Sequence, residues 1–131
     1  MLTIEKIKDK LKTRFNDGRG RAGVDSPTGF KCKYLTPSGN RCAVGCLLES
    51  VDTDIIALAE DAGISMLSTV EGAWSIAPDS HANTRALVRA MNIAGVPSTV
   101  EVKALLEIAQ SEHDAPDNWH GTKYIGPEVW K

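Results

Sequence analysis

No run of apolar residues in this chain approaches the roughly 18 that a membrane-spanning helix needs, so the sequence predicts no membrane span. Its first stretch, MLTIEKIKDKLKTRF, interleaves lysines with its apolar residues and has no small-residue cleavage site, which is not the pattern of a secretory signal. Cysteine is scarce: there are three in 131 residues, an odd number that a monomer cannot pair completely. Three thiols without an export signal point to a reducing, cytosol-like compartment. Internal repeats, low-complexity tracts and linkers are all missing, so the chain is expected to form one domain over 1–131, long enough for a real core. No helix-turn-helix pair is evident and the pI of about 5.9 is low, which argues against sequence-specific DNA binding.

What is present is ordinary in amount and uneven in distribution. The apolar and charged fractions, 42% and 24%, are those of a typical soluble globular protein. The net charge of −2 conceals a division. Residues 1–46 hold ten Lys and Arg against four Asp and Glu, a balance of +6, while residues 47–131 hold five against thirteen, a balance of −8. A basic first third attracts phosphate or an acidic partner; alternatively, the two halves attract each other within one fold.

Hydrophobic spacing places the elements. Ile4, Ile7, Leu11 and Phe15 recur at helical period behind Thr3, a suitable N-cap, with Lys6, Lys10 and Arg14 along another stripe. NDGRGRAG then ends the helix and carries Arg19 and Arg21, but it lacks the spacing and the strand-then-helix context of a nucleotide-binding glycine loop. Phe30, Cys32 and Tyr34 alternate with Lys31 and Lys33 as in a half-buried strand, and TPSGN is turn chemistry. A hairpin is expected there, folding Cys32 back toward Cys42. CAVGCLLES reads as a short buried helix whose Gly45 signals close approach of another backbone or a ligand. Three further helices are expected: TDIIALAEDAG, capped by Thr53; SHANTRALVRAMNIAG, ending at Gly95; and STVEVKALLEIAQSEHD, opened by Ser98 and Glu101 in capping-box spacing. His113 falls at the core-facing edge of the last, Pro116 starts a turn carrying Trp119, and GTKYIGPEVWK forms an irregular arm or edge strand. The fold class is α+β, mainly α, with four to five helices and one small β-hairpin.

Two strings carry a resemblance: CKYLTPSGNRCAVGCLL and, some sixty-five residues on, AQSEHDAPDNW. With the N-terminal helix and its Gly/Arg loop they resemble a family of small uncharacterised bacteriophage and prophage proteins that pair a Cys-x-Tyr segment with a Cys-Ala-Val-Gly-Cys-Leu box and a later His-Asp step and Trp. The similarity covers roughly residues 2–50 and 104–120; the segment 51–103 departs from it. Cys32, Tyr34, Gly39, Cys42, Gly45, Cys46, His113, Asp114 and Trp119 are the matching positions. The resemblance implies a small soluble accessory protein of the host-cell cytoplasm and transfers no activity.

The thiols admit three readings. As free cysteines among Ala43, Val44, Leu47 and Leu48 they pack as small hydrophobes, with His113 a satisfied core-edge histidine and Trp119 a lid. As metal ligands, Cys32, Cys42, Cys46 and His113 would make a closed, structural Cys₃His zinc site, although their spacing is not that of paired knuckles. As catalysts, Cys42 at a helix N-terminus would be the nucleophile of a small hydrolase or transferase, His113 its base and Asp114 or Asp117 the orienting carboxylate. The leading functional expectation is a non-enzymatic accessory protein that binds a host protein or a nucleotide-like anionic ligand, for instance to blunt host defence. Its contact surface would be the basic first third: Arg19, Arg21, Lys31, Lys33 and Arg41, with Lys6, Lys10 and Arg14 beside them.

Overall fold

A computed structural model describes residues 1–26, 29–70, 72–77 and 81–131, and of residues 24–26 and 29–32 it describes the backbone. Helix α1 (Ile4–Phe15) forms where the apolar stripe predicts it, and the Thr3 side chain caps it by accepting from Lys6 N at 3.2 Å. Ile7, Leu11 and Phe15 are buried along it. Asn16 closes the other end: its side-chain amide donates to Lys12 O at 2.8 Å and to Trp130 O at 2.7 Å, tying the tail of the chain to α1.

Strands β1 (Gly23–Ser26) and β2 (Gly29–Cys32) pair antiparallel with Gly23 opposite Cys32. The strand around Phe30 therefore exists, but its partner precedes it; the expected return from TPSGN toward Cys42 is not made. The reason lies in where the next backbone donors go. Lys33 N extends the ladder to Ala22 O at 3.0 Å, and the Glu60 carboxylate takes both Tyr34 N and Leu35 N, at 3.0 and 3.2 Å. No donor in that run is left for a strand at Arg41. TPSGN is still a turn, closed by Thr36 N on Asn40 O at 2.8 Å.

The Cys box follows as a tight helical turn, not a longer helix. Cys46 N reaches Cys42 O at 3.0 Å, and a 3-10 turn covers Gly45–Leu47. A Cβ on Gly45 would lie 2.0 Å from Tyr34 O, so the glycine is there because the Tyr34 backbone crosses directly over it. Every residue from Cys42 to Leu48 is buried.

Helix α2 (Thr53–Ala59) starts one residue earlier than its expected cap would allow: Asp52, not Thr53, is the N-cap and accepts from Asp54 N at 2.9 Å. Strands β3 (Ser68–Val70) and β4 (Ala73–Ser75) make a second small antiparallel pair. Helix α3 (Ala82–Ile93) stops at Gly95, whose φ of +71° favours glycine; Val96 N returns to Met91 O at 3.1 Å and Gly95 N to Asn92 O at 3.2 Å, the paired bonds of a Schellman stop. Helix α4 (Val100–Asp114) is capped by Thr99, which accepts from Val102 N at 3.1 Å, so the expected Ser98 cap is shifted by one and Ser98 itself is buried. Pro116 ends α4 and opens a 3-10 turn, Pro116–Asn118, leading into β5 (Trp119–His120) and β6 (Lys123–Tyr124), a third pair.

The class is α+β and mainly helical, with four α-helices and, among the described residues, three two-stranded antiparallel sheets where one hairpin was expected. Buried residues from all four helices, the Cys box and the tail form one hydrophobic core. Phe15 sits among aromatic rings within it: Tyr124 at 4.5 Å, Trp130 at 5.3 Å, Trp119 at 6.1 Å and the His113 imidazole at 6.4 Å between centroids. No helix among the described residues is long and apolar enough to cross a membrane.

Candidate functional site

Cys42 is fully buried, and its sulfur accepts from Gly45 N at 3.3 Å inside its own turn. The Cys46 thiol donates to Ala43 O at 2.9 Å, and burial pushes it up to about 12, so at neutral pH it is the protonated, unreactive form. No hydrogen bond joins either sulfur to the His113 ring among the described residues, and no group of three His, Cys, Asp or Glu among them is arranged to hold a metal ion. The Cys32 side chain, the remaining member of the four-ligand set, lies outside the described residues, as does that of Lys31.

His113 is fully buried, and both ring nitrogens are engaged. Nε2 accepts from Ala22 N at 3.2 Å, which leaves the proton on Nδ1, 2.9 Å from Asp114 Oδ1. The ring is thus the neutral Nδ1–H tautomer, clasping the glycine-arginine loop to the last turn of α4. Its partner on the loop is a backbone amide rather than a carbonyl. Asp114 then passes the connection on. Its Oδ1 also accepts from Gln110 Nε2 at 3.0 Å, while Gln110 Oε1 accepts from Val44 N at 3.0 Å. One chain of hydrogen bonds therefore runs from Ala22 through α4 to the Cys box. Burial lowers the His113 pKa, with the nearby Arg14 and Arg21 cations acting in the same direction and Asp114 opposing.

The described basic residues meet different surroundings. Arg21 Nη1 donates to Asp114 O at 3.0 Å, at the end of α4. Lys33 lines a cleft of about 580 Å³ together with Asp54, Glu60 and Asp61, surroundings that repel an anion. Arg19 and Arg41 are the pair that come together. One projects from the glycine-arginine loop and the other from just beyond the TPSGN turn; both line a cleft of about 250 Å³ with Asn40, Gly39 and the carboxylates of Asp17 and Glu49, and Arg41 Nη1 also donates to Gly45 O at 3.2 Å.

Beneath them lies Arg14, which the sequence places on the cationic stripe of α1 but which is only 5% exposed. Its guanidinium is a clamp. Nη1 bonds Asp17 Oδ1 at 3.0 Å, Nη2 bonds Gly20 O at 2.6 Å and Asn40 Oδ1 at 3.2 Å, and Nε donates to Arg41 O. Burial pulls its pKa down from the ordinary value and Asp17 pulls it back up; a guanidinium stays charged under any physiological condition. Asn40 Nδ2 adds a bond to Arg19 O at 3.3 Å, so the two loops are stitched side by side. A second cleft of about 360 Å³, lined also by Asp9, Lys10 and Thr13, shares Arg14, Asp17, Cys46 and Glu49 with the first and extends it into a trough along α1.

Arg14, Asp17, Asn40, Glu49 and Gln110 were not singled out for these roles by sequence reasoning. Arg14 alone carries a readable signal: it lies seven residues after Ile7, two helical turns along the same buried stripe. Compared with protein-family models, with curated proteins and with solved structures, the chain matches none of them.

Proposed function

We propose that this chain is a small phage-type accessory protein that binds a nucleotide-like anion in the trough between the glycine-arginine loop and the TPSGN turn, and performs no chemistry of its own. The observation that carries this reading is the convergence of Arg19 and Arg41 on one cleft, with their loops fixed to each other by the buried Arg14 guanidinium. Burying a cation costs several kcal/mol before its partners offset it, and a purely structural contact between two loops is more simply made with apolar side chains. Using a guanidinium there holds two further guanidiniums ready before the ligand arrives, which lowers the ordering cost of binding. Arginine forks suit phosphate oxygens, and the Glu49 carboxylate on the same wall suits hydroxyl or amino donors, the two kinds of group that a nucleotide offers together. Cys42 and Cys46 have no part in the reading: the first sulfur is sealed in the core, and the second, although it lines the trough, is held as a protonated thiol.

Titration calorimetry with pyrophosphate and with ATP at low salt tests it. Saturable binding that weakens as salt is raised is expected, with Arg19→Ala and Arg41→Ala each costing about tenfold or more in affinity, the scale of a lost charge-assisted hydrogen bond. Arg21→Ala and Lys33→Ala should leave it unchanged. Absence of saturable binding by either probe, or equal losses in all four variants, would overturn the assignment.

A further inference from the structure

The trough is polarised along its length. Asp9, Thr13 and Asp17 follow one another at four-residue steps on one wall, which at the helical rise per residue runs for about 12 Å, further than a phosphate or a diphosphate fills. In its middle Arg14 and Asp17 neutralise each other at 3.0 Å. Beyond that pair, the end at the glycine-arginine loop sets two cations, Arg19 and Arg41, against the Glu49 carboxylate. The end at Lys10 reverses the balance, with two carboxylates, Asp9 and Glu49, against that one cation. An anionic group is therefore favoured at the first end, and a second one is disfavoured at the other. Neither Asp9 nor Glu49 has a hydrogen-bond partner or an ion pair among the described residues, so both acceptors are open to a ligand. No aromatic ring lines either cleft among the described residues, and Phe15, next to Arg14 in the chain, is turned into the core against Tyr124 and Trp130. A nucleobase laid here would forgo the stacking on an aromatic side chain that base recognition draws on.

We infer that the trough's ligand is a sugar phosphate, an assignment that rests on the anion-binding function proposed above and says what lies beyond the anion. The phosphate takes the Arg19 and Arg41 forks. The sugar hydroxyls donate to Glu49, which both clefts share, and a longer sugar continues toward Thr13 and Asp9. In a nucleotide the ribose and phosphates are held and the base is left unread.

Titration calorimetry on the full chain at low salt tests this, with inorganic phosphate, pyrophosphate, ribose 5-phosphate, ATP, GTP and CTP as probes. Ribose 5-phosphate should bind at least about tenfold more tightly than inorganic phosphate, the scale of an added charge-assisted hydrogen bond. ATP, GTP and CTP should agree within about fivefold, since no stacking separates their bases. Glu49→Ala, at an exposed position, should move two probes in opposite directions. It removes an acceptor from the sugar, weakening ribose 5-phosphate by about tenfold, and a like charge from the anion, tightening pyrophosphate. If no probe binds, the anion-binding function falls and the sugar assignment with it. Binding of pyrophosphate with less than a tenfold gain for ribose 5-phosphate would overturn the sugar assignment alone. So would nucleotide affinities differing by more than about fivefold, or a Glu49→Ala variant that weakens pyrophosphate as much as ribose 5-phosphate.

Discussion

His113 and Arg14 are both buried polar side chains, and both hold the same loop. His113 takes the Ala22 amide on Nε2, and Arg14 takes Gly20 O two residues earlier. Protonating the imidazole would set an N–H against the Ala22 N–H, so the charged ring loses its bond to the loop and lies among Phe15, Trp119 and the Arg14 and Arg21 cations, with Asp114 alone favouring it. The folded pKa lies below the usual imidazole value of 6.5, so the unfolded chain binds the proton first. Stability from this ring is complete above about 6.5, the unfolded value, and is lost as pH falls from there through the lower folded value. The urea midpoint of the wild-type chain should therefore drop as the pH is taken down through this window. In His113→Gln, starting lower at neutral pH, that part of the slope should be missing. A wild-type midpoint that rises on acidification would contradict the tautomer assigned from the two hydrogen bonds.

Among the elements, the Cys box is where local sequence and tertiary packing agree best. Gly45 announces a close approach, and the approach is the Tyr34 backbone, with three backbone atoms within 2.9 Å of the place a Cβ would occupy. None of those atoms belongs to a side chain able to swing aside. Gly45→Ala should destabilise the fold by about 3 kcal/mol, at the upper end of overpacking costs, measured as a shift of the urea midpoint at constant slope. A loss well under 1 kcal/mol would mean that the crossing relaxes more easily than its geometry suggests.

Elements set by local signals could be read from the chain, and those set by distant residues could not. Helix α1 was legible in full because its stripe and its Thr3 cap are both local signals. The caps at Asp52 and Thr99 each fall one residue from Thr53 and Ser98, since adjacent residues with cap-forming side chains compete and only tertiary context chooses between them. The hairpin partner was not legible. Two turn-like stretches flank the strand around Phe30, and the choice was made by Glu60, some 25 residues away, whose carboxylate takes the donors of Tyr34 and Leu35. Nor was the site legible as a unit. Arg19 and Arg21 are near neighbours in sequence, yet one faces the trough and the other the end of α4, and the buried Arg14 between them shares its spacing with the cations Lys6 and Lys10 as well as with buried Ile7.

At the scale of the whole molecule, the uneven charge is used in two ways. Part of it is satisfied internally: Lys33 sits beside the α2 carboxylates and Glu60 holds backbone donors of the basic segment. Another part, Arg19 and Arg41 above Arg14, is gathered at one trough and kept there by bonds between loops that are distant in sequence. Preorganised convergence of those two arginines on one anion is the central claim, and an NMR titration of the arginine side-chain Nε–H signals with pyrophosphate at low salt tests it most directly. The Arg19 and Arg41 signals should move together and saturate at one common concentration, while those of Arg21, Arg85 and Arg89 stay in place. Still signals at Arg19 and Arg41, or a uniform drift of every exposed arginine without saturation, would contradict it.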